Sequence, residues 1–480
     1  MSAQPSDLPH PARNATPVQR LAEQAFSRAA GAPLLGGNAV ELLIDAQAHY
    51  DAWLAAIRSA QRSVLLENYI IREDAVGCAF RDALAERARA GVRVCIISDW
   101  LGGLGQTGAG FWRPLQQAGG EVRVYNPARL DSPLGWLSRD HRKLLVVDGR
   151  LGFLSGVCLS ARWLGDPQRG VPPWRDSGVA VRGPAVGEML HAFADTWGQL
   201  GAPLPPDLSA TAADPAGKVD LRVIATQPNT AGVFRLDQLI AAMAKRSLWL
   251  TDAYFVGLAP YVQALIAAAR DGVDVRLLVP GASDIPAVAA MSRAGYRALL
   301  EAGVRVFEWN GSMLHAKTAV ADGRWARIGS SNLNLASWIG NCEIDLAVEN
   351  EEFAQRLELQ YLADLRNSTE IVLGARDRRV RCETPPPRHP HRGGGSTSRA
   401  AAGALRLAHS VGAALTQQRV LARAEAGVLP WSALTLLLTA VVAVHWPRAL
   451  SWPAAVLLVW LAVTLALRWW RLRRPDPPSA

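Results

Sequence analysis

Short apolar runs alternate with helical periods along most of the chain after residue 37, and this pattern predicts an α/β fold. Apolar runs of four to eight residues are typical of buried strands, and the amphipathic segments between them are typical of helices on a sheet face. The predicted elements of the first part are a strand at Val40–Ile44, a helix at His49–Gln61, a strand at Ser63–Ile70, a helix at Gly77–Ala90 and a strand at Val92–Trp100.

The same order of elements returns later in the chain. The segment RSLWLTDAYFV at Arg246–Val256 is similar to RSVLLENYI near residue 63, a helix is predicted at Tyr261–Arg270, and GVDVRLLVPG at Gly272–Gly281 is similar to GVRVCIISDW. This self-similarity predicts an internal duplication. We therefore expect two α/β domains with mixed sheets, at residues 38–200 and 218–378, joined by a Pro-rich linker at 201–217.

The two ends of the chain differ from the duplicated part. Residues 1–37 suggest a flexible lead with one short helix near Val18–Ala30, and the Pro/Gly/Ser-rich residues 379–427 suggest a disordered tether. Two apolar stretches follow, Val428–Trp446 and Trp452–Leu467, with tryptophans at their ends. They predict a transmembrane helical hairpin over residues 428–470 and a tail at 471–480.

Arginines flank the predicted hairpin on both sides, at positions 406, 419 and 423 and again at 468, 471, 473 and 474. The positive-inside rule then places the tail and the two domains on the cytoplasmic side of a bacterial inner membrane. The alternative is an apolar hairpin that is buried in protein or re-entrant.

Composition narrows the range of partners. The net charge of +9 comes almost entirely from arginine, since the only lysines are Lys143, Lys218, Lys245 and Lys317. A basic chain suits an anionic membrane surface or a nucleic acid. The five cysteines are scattered without a Cys-x-x-Cys pair, and no cluster has metal-ligand spacing, so we expect neither a metal site nor a cofactor.

Two segments combine scarce residue types in one pattern. They are HRKLLVVDGRLGFLSGVC at His141–Cys158 and HAKTAVADGRWARIGSSN at His315–Asn332. Each has His-x-Lys followed by Asp-Gly, and His and Lys two apart share one face of a strand. Two of the four lysines occupy these motifs, so chance repetition is implausible.

The Asp-Gly pairs, Asp148-Gly149 and Asp322-Gly323, predict two-residue hairpin turns. Such turns place His141 opposite Gly156 and His315 opposite Ser330, so the returning strands bring small and hydroxyl residues, including Ser155, beside the histidines. Each hairpin then presents an imidazole, an ammonium group and hydrogen-bond donors. The alternative for the two aspartates is that they are turn residues only.

This set of groups suits displacement at a phosphodiester, which needs a nucleophile, an acid for the leaving alkoxide and positive charge near the phosphoryl oxygens. Two histidines can share the first two tasks, and Lys143 and Lys317 can supply the third. Asp176 and Glu343 precede strand-like runs at corresponding places, and we expect them to orient the imidazoles. The alternative is that they are surface acids at strand ends.

Both segments resemble the HKD motif of the phospholipase D superfamily, and the second continues into Gly329-Ser330-Ser331-Asn332. The wider context, over about Asn38 to Leu373, is similar to bacterial cardiolipin synthases, especially the shorter cardiolipin synthase B type. The resemblance implies two phospholipase D-like domains about a pseudo-twofold axis and a phosphohistidine intermediate. It implies His141 as nucleophile and His315 as acid and base, or the reverse, with Lys143, Lys317 and Asn332 on the phosphoryl oxygens and Asp148 and Asp322 as motif members.

The implied reaction is transfer of a phosphatidyl group, with phosphatidylglycerol and also phosphatidylethanolamine as phospholipid substrates. One departure is that the first motif ends in Ser155-Gly156-Val157-Cys158, so one amide donor is missing. Alternatives are phospholipase D-type hydrolysis, a nucleic-acid phosphodiesterase and a non-catalytic membrane scaffold. A nucleic-acid substrate is disfavoured because no interleaved run of arginines and aromatic residues is present.

Overall fold

The fold is described from a computed structural model. It covers residues 17–108, 110–127, 138–209, 213–373 and 380–382, with single helical positions between 434 and 463. Contacts divide the chain into two units, residues 1–126 with 138–393, and residues 127–137 with 394–480. All strands and the site described below belong to the first unit.

The first repeat consists of seven strands and five helices. Its strands are β1 (Leu35–Ile44), β2 (Ser63–Asn68), β3 (Arg93–Asp99), β4 (Glu121–Tyr125), β5 (Lys143–Val147), β6 (Leu151–Ser155) and β7 (Ser177–Arg182). Its helices are α2 (Asp45–Ser59), α3 (Ala75–Arg89), the short α4 (Trp100–Gly103) and α5 (Arg113–Gln117), and α6 (Ala185–Gln199). The three strands and two helices that the apolar pattern predicts between residues 40 and 100 are β1, α2, β2, α3 and β3.

The second repeat follows the short helix α7 (Pro206–Ser209) and has the same plan with two added strands. Its strands are β8 (Val219–Thr226), β9 (Ser247–Thr251), β10 (Asp274–Pro280), β11 (Arg305–Trp309), β12 (Thr318–Ala321), β13 (Trp325–Gly329), β14 (Glu343–Glu349), β15 (Ser368–Leu373) and β16 (Val380–Cys382). Its helices are α8 (Gly232–Met243), α9 (Ala259–Arg270), α10 (Pro286–Glu301) and α11 (Glu351–Leu365).

The strand order shows the duplication. Outward from the centre of one continuous sheet, the first repeat runs β1-β7-β6-β5-β2-β3-β4 and the second runs β8-β14-β13-β12-β9-β10-β11, followed by β15 and β16. Strands β2, β3 and β4 pair in parallel, as do β9, β10 and β11, and the remaining pairs are antiparallel. The predicted pair of mixed α/β repeats is therefore confirmed.

A shared apolar core fixes the two repeats against each other. It includes Met189 and Phe193 of α6, Ile328 and Ile344 of the second sheet half, and Phe353 of α11, all of them buried. Burying a side chain of this size contributes about 1.5–3 kcal/mol, so a core of this extent strongly opposes separation of the repeats. Groups that meet across this boundary are consequently held in a defined geometry.

The described part of the N-terminal segment packs on the second repeat. Helix α1 (Pro17–Ala30) matches the short helix expected near Val18–Ala30. Its Ala30 belongs to the core of the second repeat, and Glu23 accepts a hydrogen bond from the buried Arg222 at 2.6 Å. Apolar packing and a buried ion pair thus attach part of the lead to the second repeat.

The turns at the two motif hairpins differ from the prediction by one residue. Val147 pairs with Leu151 and Ala321 pairs with Trp325, so each connection has three residues rather than two. Both Asp148 and Asp322 have left-handed φ values, 54° and 53°, and the glycines that follow do as well. Asp and Gly tolerate that conformation, and the third residue closes the loop. The expected pairings of His141 with Gly156 and of His315 with Ser330 are therefore wrong by one position.

The predicted hairpin at 428–470, with most of the tether before it and the tail after it, lies largely outside the described residues. Within the part of the chain that the structure describes, we find no helix with both the length and the apolar character needed to cross a membrane.

Candidate active site

Each motif histidine lies shortly before a strand, β5 from Lys143 or β12 from Thr318, and its amide is bound by the backbone of the other repeat. The amide of His141 donates to the carbonyl of Cys342 at 2.9 Å, and the amide of His315 donates to the carbonyl of Arg175 at 2.7 Å. Cys342 precedes Glu343, and Arg175 precedes Asp176. The two repeats therefore make two equivalent backbone contacts, and each of these contacts places a histidine beside a carboxylate of the other repeat.

The His141 imidazole is held by Glu343. Its Nδ1 lies 2.8 Å from Glu343 Oε2, across 202 positions of sequence. Glu343 is itself fixed, because the hydroxyl of Ser330 donates to Oε2 at 2.6 Å and the side-chain amide of Asn341 donates to Oε1 at 3.2 Å. The carboxylate is completely buried, and burial raises the pKa of Glu343 against the opposing effect of Lys143 and these hydrogen bonds.

The His315 imidazole is held in the corresponding way by Asp176. Its Nδ1 lies 2.8 Å from Asp176 Oδ2. The indole of Trp163 donates to the same oxygen at 3.3 Å, and the amide of Ser177 donates to Oδ1 at 2.9 Å. Burial alone would raise the pKa of Asp176, but His315 and Lys317 outweigh it and hold that pKa well below its usual range.

The two lysines lie beneath the imidazoles and are almost fully buried. Lys143 Nζ donates to the carbonyl of His141, and Lys317 Nζ donates to that of His315. Lys317 Nζ also lies 2.9 Å from His315 Nδ1, but this nitrogen cannot accept from the ammonium while it donates to Asp176. We assign the proton on Nδ1 to the carboxylate contact, which leaves Nε2 as the unprotonated nitrogen of each neutral imidazole.

Burial and the nearby cations lower the pKa values of the imidazoles at the site. Burial, Lys143 and Lys317 all lower the pKa of His141, and burial together with Lys317 lowers the pKa of His315 to about 4. Burial also lowers the pKa of Lys317 to about 8. Because each lysine acts on both imidazoles, the two half-sites form one electrostatic unit that favours an anion.

The two motif aspartates lie at the hairpin turns and not beside the imidazoles, so the structure does not place them among the catalytic groups as expected. Asp148 is separated from Lys143 by the length of β5, roughly 16 Å at the rise of a strand. Its carboxylate accepts hydrogen bonds from the amides of Gln61, Arg62 and Ser63 at 3.0, 2.7 and 2.9 Å. Asp322 does the same for residues 245–247 at 3.0, 2.7 and 2.9 Å. Both aspartates therefore stabilise turns, which was the alternative interpretation of these residues.

The segments that return beside the lysines are not equivalent. Ser330 binds Glu343, whereas its counterpart in the first repeat is Gly156. A Cβ atom on Gly156 would come within 2.4 Å of Asp176 Oδ1, so that position has no room for a side chain. The Ser155 hydroxyl accepts the amide of Val157 at 3.0 Å instead of reaching a catalytic carboxylate.

The motif ends also differ. Asn332 is buried, and its Oδ1 has no hydrogen-bond partner among the described residues. Its counterpart Cys158 is buried as well, and burial raises the pKa of the thiol. The second repeat thus offers a carboxamide with free hydrogen-bonding capacity, whereas the first offers a neutral thiol.

Several aromatic residues at the site were not anticipated. The ring of Tyr69 meets that of His141 edge-on at 4.9 Å, and Tyr254 meets His315 at 5.8 Å. Trp163 and Trp174 pack on His315 at 5.4 and 5.7 Å. The tyrosines could have been found from the similarity of the two segments that contain them, and Trp163 from the similarity of ARWLG at 161–165 to ASWIG at 336–340, whereas the segment before Glu343 has no tryptophan that corresponds to Trp174. No group of three or more potential metal ligands occurs in the described ranges.

Comparison with known proteins gives a consistent result. The family model described as "Cardiolipin synthase, PLD-like domain" matches residues 53–164 and 237–365. Cardiolipin synthase A of Pseudomonas putida (strain W619) is 33% identical over 350 residues, 71% of each chain. Cardiolipin synthase A of Pseudomonas aeruginosa (strain LESB58) is 32% identical over 73% of this chain and 71% of its own length. The expected likeness to the shorter B type stays a prediction.

Among solved structures, the phosphatidylserine synthase of Haemophilus influenzae Rd KW20 superposes with a TM-score of 0.58. The match covers 81% of this chain and 97% of that one at 13% sequence identity. The polyphosphate kinase of Porphyromonas gingivalis gives a TM-score of 0.50 at 13% identity, over 76% of this chain and 52% of its own. At these identities the likeness concerns the fold alone.

Proposed function

The chain belongs to the PLD-like cardiolipin synthase family and is a phospholipid phosphatidyltransferase, and we propose that it makes cardiolipin from two molecules of phosphatidylglycerol. The observation that supports this most directly is the crossed pair of imidazole–carboxylate contacts, His141 with Glu343 and His315 with Asp176. Two imidazoles with unprotonated Nε2 atoms and two ammonium groups around one site match the needs of a two-step transfer at phosphorus.

In the first step, Nε2 of His141 attacks the phosphorus atom of one phosphatidylglycerol. A P–N bond forms, the P–O bond to the headgroup glycerol breaks, and His315 donates a proton to the leaving alkoxide. In the second step, His315 takes the proton from a glycerol hydroxyl of the second phosphatidylglycerol. That oxygen attacks phosphorus, the P–N bond breaks, and cardiolipin is released. The exchange of roles between the two histidines is the alternative.

The electrostatics of the site fit this order of steps. The pKa of His315 is about 4, which is too low for a general acid at neutral pH, and burial and Lys317 are the main causes. A bound phosphodiester brings a negative charge between the lysines, and this charge raises the pKa of both imidazoles. We propose that Lys143, Lys317 and Asn332 hold the phosphoryl oxygens, with Asp176 and Glu343 as the orienting carboxylates and Ser330 supporting Glu343.

Two further parts of the proposal concern the membrane. The apolar stretches within residues 428–470 and their flanking arginines support a transmembrane hairpin that keeps the enzyme at a bacterial inner membrane, with the catalytic repeats on the cytoplasmic side. Alkaline carbonate extraction tests this part. Release of the full chain into the soluble fraction would contradict it.

The reaction is tested with the purified full chain and labelled phosphatidylglycerol in detergent. We expect cardiolipin and free glycerol in equal amounts. His141→Ala and His315→Ala should each lower the rate by roughly 10²-fold or more. His191→Ala is the matched control, because this histidine is exposed on α6. Phosphatidate as the main product would indicate hydrolysis instead, and substantial turnover by either active-site variant would contradict the role of that histidine.

A further inference from the structure

Arg139, two residues before His141, is a half-buried cation that no carboxylate of the described residues contacts directly. Its Nε is buried and has no hydrogen-bond partner among the residues that the structure describes. Its one side-chain hydrogen bond there is a long one, from Nη1 to the hydroxyl of Tyr69 at 3.3 Å. No carboxylate of the described chain forms an ion pair with it. Against the effect of burial, Asp99 and Glu343 act on the guanidinium at longer range and raise its pKa, but its buried Nε still has no acceptor among these residues. A buried donor without an acceptor costs free energy unless another group compensates it.

Other arginines show what this protein does with a buried guanidinium. The four most deeply buried arginines each have a carboxylate within 4.0 Å, in the pairs Arg142–Glu67, Arg175–Asp364, Arg222–Glu23 and Arg327–Asp345. Arg139 departs from that pattern. Its counterpart in the second repeat, two residues before His315, is Met313, which is buried in an apolar cluster with Trp163 and Trp174. The pseudo-symmetry of the fold therefore gives no structural reason for a cation at position 139.

The position of Arg139 connects it to the reacting groups. Tyr69, which its guanidinium contacts, meets the ring of His141 at 4.9 Å, and Lys143 Nζ lies 5.0 Å from the same phenol ring. The charge of Arg139 also acts on His141 and, with burial and the two lysines, lowers its pKa. A guanidinium with free donors therefore lies one aromatic ring away from the phosphorylation site.

The chemistry of the transfer suggests an anion that Arg139 could bind. In the second step, the attacking hydroxyl belongs to a phospholipid that carries a phosphate of its own, three carbons away from the attacking oxygen. We propose that Arg139 binds the phosphate of this acceptor phospholipid and thereby selects it over water and over uncharged alcohols. Arginine suits the task because its planar donors can bind two phosphate oxygens at once. This inference rests on the proposed function.

The test compares a charged and an uncharged acceptor in the same enzyme. The full chain in detergent micelles receives phosphatidylglycerol, and two products are followed, cardiolipin and phosphatidylglycerol that has incorporated labelled free glycerol. For Arg139→Gln we expect cardiolipin formation at subsaturating substrate to fall by roughly 10- to 100-fold, the loss of a charge-assisted hydrogen-bond pair. Glycerol incorporation should persist, and Arg139→Lys should recover part of the loss. Arg150→Gln, on an exposed turn, is the control for net charge.

The outcomes separate this inference from the function on which it rests. Equal losses of both products in Arg139→Gln would mean that the arginine acts through His141 or the fold, and would overturn the inference. Unchanged cardiolipin formation would also overturn it. A wild-type enzyme that incorporates glycerol but never forms cardiolipin would refute the proposed function, and the acceptor role of Arg139 with it.

Discussion

The motif aspartates give the sharpest prediction, because they are part of the recognisable signature and yet lie far from the imidazoles. We consider Asp148→Ala. The carboxylate accepts three backbone amides, of which Ser63 is buried and Gln61 and Arg62 belong to exposed residues. Its removal leaves the buried amide without that acceptor, while water can replace it at the two exposed ones.

The expected cost follows from these contacts. A hydrogen bond to a charged acceptor contributes about 1.5–3 kcal/mol when buried and about 0.5–1.5 kcal/mol where water competes. Alanine at a φ of 54° adds about 1–2 kcal/mol of backbone strain. For one buried bond, two exposed bonds and the strain together, the free energy of unfolding should fall by about 3.5–8 kcal/mol, and the melting temperature by on the order of 5 °C or more.

The assay combines thermal unfolding, followed by circular dichroism, with initial rates measured well below the transition. We expect Asp148→Ala to melt earlier but to keep most of its turnover. Asp148→Asn should be intermediate, because asparagine tolerates the left-handed conformation and keeps an acceptor oxygen. Loss of turnover as complete as that of His141→Ala, with an unchanged melting temperature, would refute the structural role and return the carboxylate to the chemistry.

Three further predictions concern the site itself. Because the pKa of Lys317 is lowered to about 8, kcat/KM should fall above that pH as the ammonium group loses its proton. Lys317→Arg should shift this fall of kcat/KM to higher pH. A fall at the same pH in the variant would contradict the assignment of the titration to Lys317. Asn332→Ala should lower kcat/KM about tenfold or more, whereas Cys158→Ala should change it little, since a thiol is a weak hydrogen-bond donor. Equal effects of the two substitutions would contradict the phosphate-binding role of Asn332. Glu343→Gln should lower the rate by roughly 10²- to 10⁴-fold, because the glutamine no longer holds His141 in the tautomer that carries its proton on Nδ1. An unchanged rate would contradict the orienting role of Glu343.

The sequence by itself determined the features that depend on near neighbours. Strand and helix positions follow from the spacing of apolar residues, which each segment displays independently of the rest. The Asp-Gly turns, the paired His-x-Lys motifs and the duplication are likewise visible in the letters. The predicted length of the turns was wrong by one residue. A three-residue connection with two left-handed residues and a two-residue connection both favour Asp-Gly, so the sequence does not distinguish them.

Only the tertiary structure decided which groups meet. Pairing of His141 with Glu343 joins residues 202 positions apart, and pairing of His315 with Asp176 joins residues 139 positions apart. Local pattern cannot specify such contacts, since they arise when a common core packs the repeats together and brings the start of one motif strand against the other repeat. The same packing places Arg139 against an aromatic ring and in direct contact with no carboxylate of the described residues. Asp148 and Asp322 lie away from the site because a strand of five residues in the first repeat, and of four in the second, separates each of them from its motif lysine.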